Sequence, residues 1–311
     1  MDNIRFEFLS ESNLDKLREC FNRCRKRRLS LNFFKKKYST KWPDAPLLGI
    51  IAMDENNPIA LCCSTLYKFN DSSCNYLVAQ LGDLVVDENY RNKGLATQMI
   101  MEIEKHTVEN NIDAALIFPN KNARRIFEKL DEWRIIGNFN SFKIKVSTLP
   151  ILKILNKLHL NDLFFDLIRS NVNNKFVSTI KNREIVENNK IGVLVDDGYL
   201  NYKSYGKYSC HMYDDKAVIW TFSDGLVVLF SEVTTEKELE REILHLKAFC
   251  RKRGIHEISY YCYSGSSLFA LLSKKKYEAI PTLPVYAYQI NPKLDFSRIV
   301  LNGIDRNAFD L

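Results

Sequence analysis

Nowhere in the 311 residues is there a run of about 18 apolar residues, so no membrane-spanning helix is expected. The opening Met1-Asp2-Asn3-Ile4-Arg5 carries an early acid and lacks the apolar stretch of about 7–15 residues that a secretory signal needs. Metal-ligand spacing is missing as well. Cys20 and Cys24 stand one helical turn apart, but no second pair lies nearby, and no metal site is expected. The eight cysteines are scattered, which reads as reduced thiols in a cytoplasmic protein and not as a disulfide framework. His106, His245 and His256 have no serine or cysteine constellation around them that would make a triad. The formal charge of +7 is a mild basic excess that suits an anionic small molecule and is too weak to argue for nucleic acid. The runs Arg25-Lys26-Arg27-Arg28 and Lys35-Lys36-Lys37 could suggest nucleic-acid contact but read first as solvated faces.

What is present is core-forming material. Hydrophobic residues make up 46% of the chain and aromatics 12%, which rules out wholesale disorder. The length accommodates two domains of about 150 residues. Period and punctuation predict a strand at Ile4–Phe8, a helix from Ser10 or Ser12 to about Arg25, and a short helix at Leu31–Tyr38 capped by Ser30. Strands follow at Leu47–Met53, Ile59–Phe69 and Tyr76–Val86, then a helix at Gly94–Glu109, a strand at Asp113–Phe118, a helix at Asn122–Lys129 and a closing strand at Phe139–Val146. The second half repeats this order: strands at Val218–Phe222 and Gly225–Phe230, a helix at Thr235–Arg253 opened by the capping box Thr235-x-x-Glu238, a strand at Ile258–Tyr263, a helix at Ser266–Lys275 and a strand at Val285–Ile290. Ile112 and Phe142 are thirty residues apart, as are Ile255 and Val285. Between the halves, Leu149–Ile168 is apolar at helical spacing (Ile151, Leu155, Leu158, Leu163, Leu167), which suits a helix packed across two domains, with a membrane-surface helix as the alternative.

The chemistry concentrates in Gly82-Asp83-Leu84-Val85-Val86-Asp87-Glu88-Asn89-Tyr90-Arg91-Asn92-Lys93-Gly94-Leu95-Ala96-Thr97. An apolar strand ends, a short polar turn follows, and a long helix begins on small residues. Such a junction presents unpaired N–H groups at a helix N-terminus, which is an anion site. Gly94 admits close approach of the backbone, Ala96 keeps the first turn small, and Arg91 and Lys93 add positive charge.

Arg91-x-x-Gly94-x-Ala96 resembles the signature of the GNAT acetyltransferase superfamily. The run Val85-Val86-Asp87-Glu88-Asn89-Tyr90 before it, and Asn120-Lys121-Asn122-Ala123 with Phe127-Glu128-Lys129-Leu130 after it, extend the resemblance over roughly residues 1–146. The resemblance implies an α+β fold of two GNAT-like units, each a mixed, mostly antiparallel twisted sheet flanked by helices. It places an acetyl-CoA-binding domain at 1–148, an interdomain helix or linker at 149–174 and a degenerate copy at 175–311, since some members carry tandem units. It also implies acetyl-CoA as acetyl donor. Leu84, Val85 and Val86 would offer main-chain contacts to the pantetheine arm, Arg91, Asn92, Lys93, Gly94, Leu95, Ala96 and Thr97 would cradle the diphosphate, and Asn120 would touch the cofactor. Asp83 is the candidate general base, with pairing to a nearby lysine as its other reading; Gln80 cannot serve, and Glu88 reads as surface. Phe127 stands where many members carry a tyrosine general acid, leaving that role to water, Tyr76 or Tyr90. In the copy, the equivalent loop Ser231-Glu232-Val233-Thr234-Thr235-Glu236-Lys237-Glu238 has no glycine and three acids, which a diphosphate would find repulsive. The segment Ile299–Asp305 is similar to the end of members encoded with surface-polysaccharide genes. The expected activity is transfer of an acetyl group to a primary amine of a small molecule, an amino sugar or nucleotide-amino sugar foremost. Lysine or peptide N-terminal acetylation and a non-catalytic CoA-binding scaffold are the alternatives.

Overall fold

The computed structural model describes residues 4–71, 73–149, 151–158, 160, 163–168, 189–193, 197–203, 206, 208–214 and 216–305. In chain order the elements are β1 (Ile4–Phe8), α1 (Leu14–Arg25), α2 (Leu31–Lys37), β2 (Leu48–Asp54), β3 (Asn57–Asn70), β4 (Asn75–Leu81), β5 (Val85–Val86), α3 (Leu95–Glu109), β6 (Ala114–Ile117), α4 (Lys121–Phe127) and β7 (Trp133–Lys145). Then come α5 (Ile151–Lys157), α6 (residues 163–168), β8 (Gly192–Val193), α7 (Asp197–Tyr202), β9 (Ser209–Tyr213), β10 (Lys216–Phe222), β11 (Leu226–Ser231), α8 (Glu236–Arg251), β12 (Glu257–Tyr263), α9 (Ser267–Lys274) and β13 (Ala279–Gln289). The chain forms two compact units: Met1–Ile136 with Gly198–Tyr205 and Val285–Arg298, and Gly137–Asp197 with Gly206–Pro284 and Ile299–Leu311.

In the first unit β1, β2, β3 and β4 pair antiparallel in sequence, β6 joins β4 in parallel, and Tyr286–Gln289 of β13 completes the order antiparallel to β6. Side chains alternate across this sheet, so β2 and β3 feed two cores. Ile51, Met53, Leu61 and Cys63 face α1 and α2, where they meet Leu14, Leu17, Cys20, Phe21 and Phe34. Ile50, Ala52, Ala60 and Cys62 face the other way, toward Leu95, Met99, Ile100 and Ile103 of α3. A sheet buried on both faces explains why β3 reads as a nearly continuous apolar run. In the second unit β9, β10 and β11 pair antiparallel, β12 joins β11 in parallel, and residues 139–145 of β7 close the order antiparallel to β12. Its core collects Trp220, Val228, Leu239, Leu246, Ile258 and Tyr260 under α8. The expected α+β class, with mixed, mostly antiparallel sheets flanked by helices, is what is found.

The expected elements recur in their expected order; β8, α7 and β9 are additions that the sequence reading did not include, and three further differences stand out. The strand expected at Tyr76–Val86 is two strands, because the chain bulges at Asp83. The closing strands are exchanged: the strand read as ending the first half pairs with β12, and the strand read as ending the second half pairs with β6. Each parallel strand has an edge that accepts any antiparallel partner of matching apolar pattern, so side-chain period cannot say which strand fills which edge. Finally, the connecting helix is broken into α5 and α6. Its expected stripe is exposed at Ile151, Leu158, Leu163 and Leu167, and burial falls instead on Leu152, Phe165 and Ile168 in the second core. Residues 169–174 of the expected linker lie outside the described residues. Among the described residues no helix is long and apolar enough to cross a membrane, and none of the eight free cysteines joins a metal-binding cluster.

Candidate active site

At Leu81 the chain is still paired with Ile117 of β6, and there the two parallel strands part. β6 gives way to the loop into α4, whereas the segment after β4 stays with β3. Gly82 N donates to Cys63 O (2.9 Å), Val85 lies opposite Leu61, and Asp87 N donates to Ile59 O (2.9 Å). Three steps from Gly82 to Val85 match two from Cys63 to Leu61, which is a β-bulge at Asp83-Leu84. Leu84 N folds back onto Gly82 O (2.9 Å). Hydrogen bonding alternates along an antiparallel pair, so with Asp87 N engaged Val85 N also faces β3, and Val86 N faces the edge away from it. Of the three donors expected at Leu84, Val85 and Val86, the geometry aims only that of Val86 at the parting edge.

Beyond β5 the turn is held from below. Asp87 caps its short 3₁₀ turn by accepting from Asn89 N (3.1 Å), and Arg23 of α1 donates to Asp87 Oδ2 (3.3 Å), to Asn57 Oδ1 (3.1 Å) and to Pro58 O. Tyr90 donates its hydroxyl to Asp54 Oδ2 (2.5 Å), and that hydrogen bond holds the phenol above its ordinary pKa, which removes it as a ready proton donor. Arg91 Nε donates to Val86 O (3.1 Å), and Lys93 Nζ sits 5.2 Å from the Tyr90 ring centroid. Asn92 and Gly94 both adopt left-handed backbone, φ 61° and 77°. At Gly94 a Cβ would meet nothing within 4 Å, so the glycine is required by its backbone angle and not by crowding. It opens α3 without a side-chain cap, and its neighbours Arg91, Asn92 and Lys93 are exposed while Leu95 anchors the helix in the core. The result is a helix N-terminus whose first amides, flanked by two cations, point into the open turn.

Residues 7–131 match the model of the acetyltransferase (GNAT) family. They form a GNAT acetyltransferase domain. The chain is thereby an acyltransferase. No curated protein sequence matches it. Among solved structures, it is similar to a GCN5-related N-acetyltransferase from Kribbella flavida (11% identity, 93% of this chain and 71% of that one, TM-score 0.57). It is also similar to a probable N-acyltransferase from Enterococcus faecalis V583 (11%, 93% and 73%, 0.61) and to Saccharomyces cerevisiae N-myristoyltransferase with bound myristoyl-CoA (9%, 99% and 85%, 0.55). At these identities the likeness is one of fold.

Within the GNAT domain, Asp83 sits on the bulge and is buried, with both of its close contacts on Oδ2: Lys37 Nζ donates at 2.5 Å, and the Tyr38 hydroxyl donates as well. The lysine-partner reading of Asp83 is therefore the one realised in its contacts. Lys37 and Tyr38 are what the sequence reading missed. Lys35 and Lys36 are exposed as expected of a charge run, but Lys37 turns inward and is 1% exposed. The available signal was its position three residues after the buried Phe34, on the same face of α2. Tyr202 of α7 donates to Lys37 O (3.2 Å) and stacks on Trp42 (5.4 Å, 20°), and Lys203 donates to Tyr67 OH (3.1 Å), so a polar–aromatic cluster backs the ion pair. Nearby on β3 and β4, Ser64 Oγ and Gln80 Oε1 are buried with no hydrogen-bond partner among the described residues.

Asn120 is explained locally. Its Oδ1 accepts from Asn122 N and Ala123 N (both 3.0 Å), capping α4. Phe127 is buried against Trp133 (4.9 Å, edge-on) and is a core residue. Tyr76 is buried too, and burial pushes its phenol up. Glu88 is exposed, as is the run Arg25–Arg28.

In the second unit, the loop before α8 is closed by its own carboxylate. Glu238 Oε2 accepts from Thr234 N (2.9 Å), Thr234 Oγ1 (3.0 Å) and Thr235 N (3.1 Å), and Thr235 Oγ1 accepts from Glu238 N (3.3 Å). The backbone donor at Thr234 foremost, with Lys216 Nζ 3.2 Å away, brings Glu238 down to about 2. Where the start of α3 carries no side-chain cap, this loop holds a resident carboxylate on the Thr234 and Thr235 N–H groups just before α8.

Proposed function

We propose that the chain transfers the acetyl group of acetyl-CoA to a primary amine of a small molecule, with amino sugars, free or nucleotide-linked, as the acceptor class to test first. The observation that carries this reading is the uncapped start of α3 behind the left-handed Asn92 and Gly94. Its amides, with Arg91 and Lys93 beside them, are the donor set a diphosphate requires. Arg91, Asn92, Lys93, Gly94, Leu95, Ala96 and Thr97 would hold that group, and the outward N–H of Val86 would receive the arm along the edge where β4 and β6 part. When bound, the thioester supplies the activated acyl carbon. Val86 N–H would orient the acyl group, and Asp83, carried on the bulge, would take the amine's proton on its second carboxylate oxygen. Lys37 and Tyr38 fix the carboxylate in place through Oδ2. Phe127 has no proton to give, so the leaving thiol would draw its proton from water and the rate would rest on positioning. We assign the second unit as a degenerate copy without a diphosphate turn.

Calorimetric titration with acetyl-CoA tests the assignment: the wild type binds, and Gly94→Glu, which brings a carboxylate to the anion's position on a strained backbone, does not. No binding by the wild type, or equal binding by both, refutes it. Thiol release with a panel of amino sugars and peptides then separates acceptors; turnover of peptides alone would replace the amino-sugar reading with protein acetylation.

A further inference from the structure

The second unit has its own place where parallel strands part. β11 and β12 pair through Leu226–Ile258, Val227–Ser259 and Val228–Tyr260, and then separate at Leu229 and Tyr261, as β4 and β6 separate in the first unit. Here the gap is filled. Gly303 lies between the two strands so closely that a Cβ on it would stand 2.9 Å from both Leu229 O and Tyr261 O. Just before it, Asn302 bridges antiparallel to Cys262, and Ile299 bridges parallel to Ile191, with Val300 N donating to Ile191 O (2.8 Å). The turn Gly303–Asp305 locks itself: Asp305 Oδ2 accepts from Asn302 N (2.6 Å), and Asp305 N donates to Asn302 O (2.9 Å). Leu301, Ile304 and Asp305 are all buried. What remains is a cavity of about 100 Å³ between this segment, the loop Ser231–Thr234 and the start of α9, room for about three waters.

We propose that Ile299–Asp305 is a built-in occupant of the second unit's strand cleft, an internal peptide that takes the place of an extended ligand and closes the cleft to one. Two parting strands expose N–H and C=O groups that recruit any extended chain by strand addition. The chain itself pairs with β12 there, through Asn302 and Cys262, and only glycine at 303 lets a backbone pass between two carbonyl oxygens at that distance. This occupancy is independent of what the first unit binds. It also gives the second unit a closed cleft on grounds separate from Glu238, which closes only the loop.

Cys262 reports on the cleft, because it is paired with Asn302 and 3% exposed, while Cys250 is buried on α8 in the same unit. Native-state alkylation of the full chain with N-ethylmaleimide, mapped by mass spectrometry, compares wild type with Gly303→Val, which forces the segment out, and with Asp305→Ala, which only unlocks its turn. Modification of Cys262 is expected to accelerate about tenfold or more in Gly303→Val and by less in Asp305→Ala, with Cys250 unchanged, since local opening exposes one thiol and global unfolding exposes both. An unchanged Cys262 in both variants overturns the proposal. So does parallel acceleration of Cys262 and Cys250 in both, because the segment would then be part of the core and not the occupant of a cleft that stands without it.

Discussion

Glu242 of α8 is a carboxyl group sunk in the second core, where it accepts from Ser231 Oγ (2.6 Å) and Tyr260 OH (2.7 Å) and has no cation within salt-bridge reach among the described residues. Burial raises it from 4.5 to about 7, against the two hydrogen bonds that favour its charged form. The folded state therefore holds a proton that the unfolded state releases between these two values. The sign follows directly: the stability this group contributes is full below about pH 4.5 and is lost as pH rises through about 7. A displacement of about 2.5 units corresponds to about 3 kcal/mol between the two limits. Glu242→Gln removes the titration while keeping an acceptor oxygen for one of the two hydroxyls and turning an amide N–H toward the other. Urea denaturation at pH 5 and pH 8 should show the variant close to wild type at pH 5 and more stable by up to about 3 kcal/mol at pH 8, reduced by whatever the weaker neutral hydrogen bonds cost. Equal effects of the substitution at both pH values would show that the carboxyl group is solvated or paired in the folded state, and the reasoning from burial would fail.

Three further outcomes are expected. Asp83→Leu and Lys37→Met should each destabilise by about 3–5 kcal/mol, because each strands one member of a buried pair, whereas the double variant Lys37→Met/Asp83→Leu should recover most of that loss; additive losses in a thermal-melt cycle would refute the coupling. Phe127→Tyr should cost about 1–3 kcal/mol for an unsatisfied hydroxyl in the Trp133 pocket and leave thiol release no faster; a rate gain would mean that position 127 reaches the reaction after all. Gly94→Ala should lose about 1–2 kcal/mol of stability from its left-handed backbone, yet retain acetyl-CoA binding, since nothing surrounds its Cβ; loss of binding in Ala as complete as in Glu would shift the explanation from charge to backbone shape.

How far the sequence could be read depended on whether the signal was local. Ser30, Thr235 with Glu238, and Asn120 are caps, and a cap is a matter of three or four neighbouring residues. The turn Arg91–Ala96 was legible for the same reason: Gly94 sits where a left-handed angle is needed, between an apolar strand and an amphipathic helix. The bulge was hidden, because Tyr76–Val86 keeps its apolar content through Asp83 and nothing in the period announces one extra residue. Lys37 was hidden by its company, since two exposed lysines precede it and composition alone does not reveal which of three faces the core. The partner of each last strand was beyond local reasoning entirely, as was the wedging of Gly303 between strands that lie far from it in sequence.

That exchange of strands sets a timetable for folding. The free edge of β6 is complete early in synthesis, but Tyr286–Gln289, which covers it, emerges only after more than half the chain has followed. Until then the nascent first unit must carry an open edge, shielded by a chaperone or exposed to its neighbours. The loop closed when Tyr286 reaches Ile117 is among the longest in the molecule, which places that pairing among the slow, non-local steps. A fragment cut at residue 148, where the apolar pattern first seems to finish, would keep β7 without β12 and β6 without its cover. Such a piece would present two uncovered strand edges, each a template for pairing with another copy, and the acyltransferase is best handled as one uninterrupted chain.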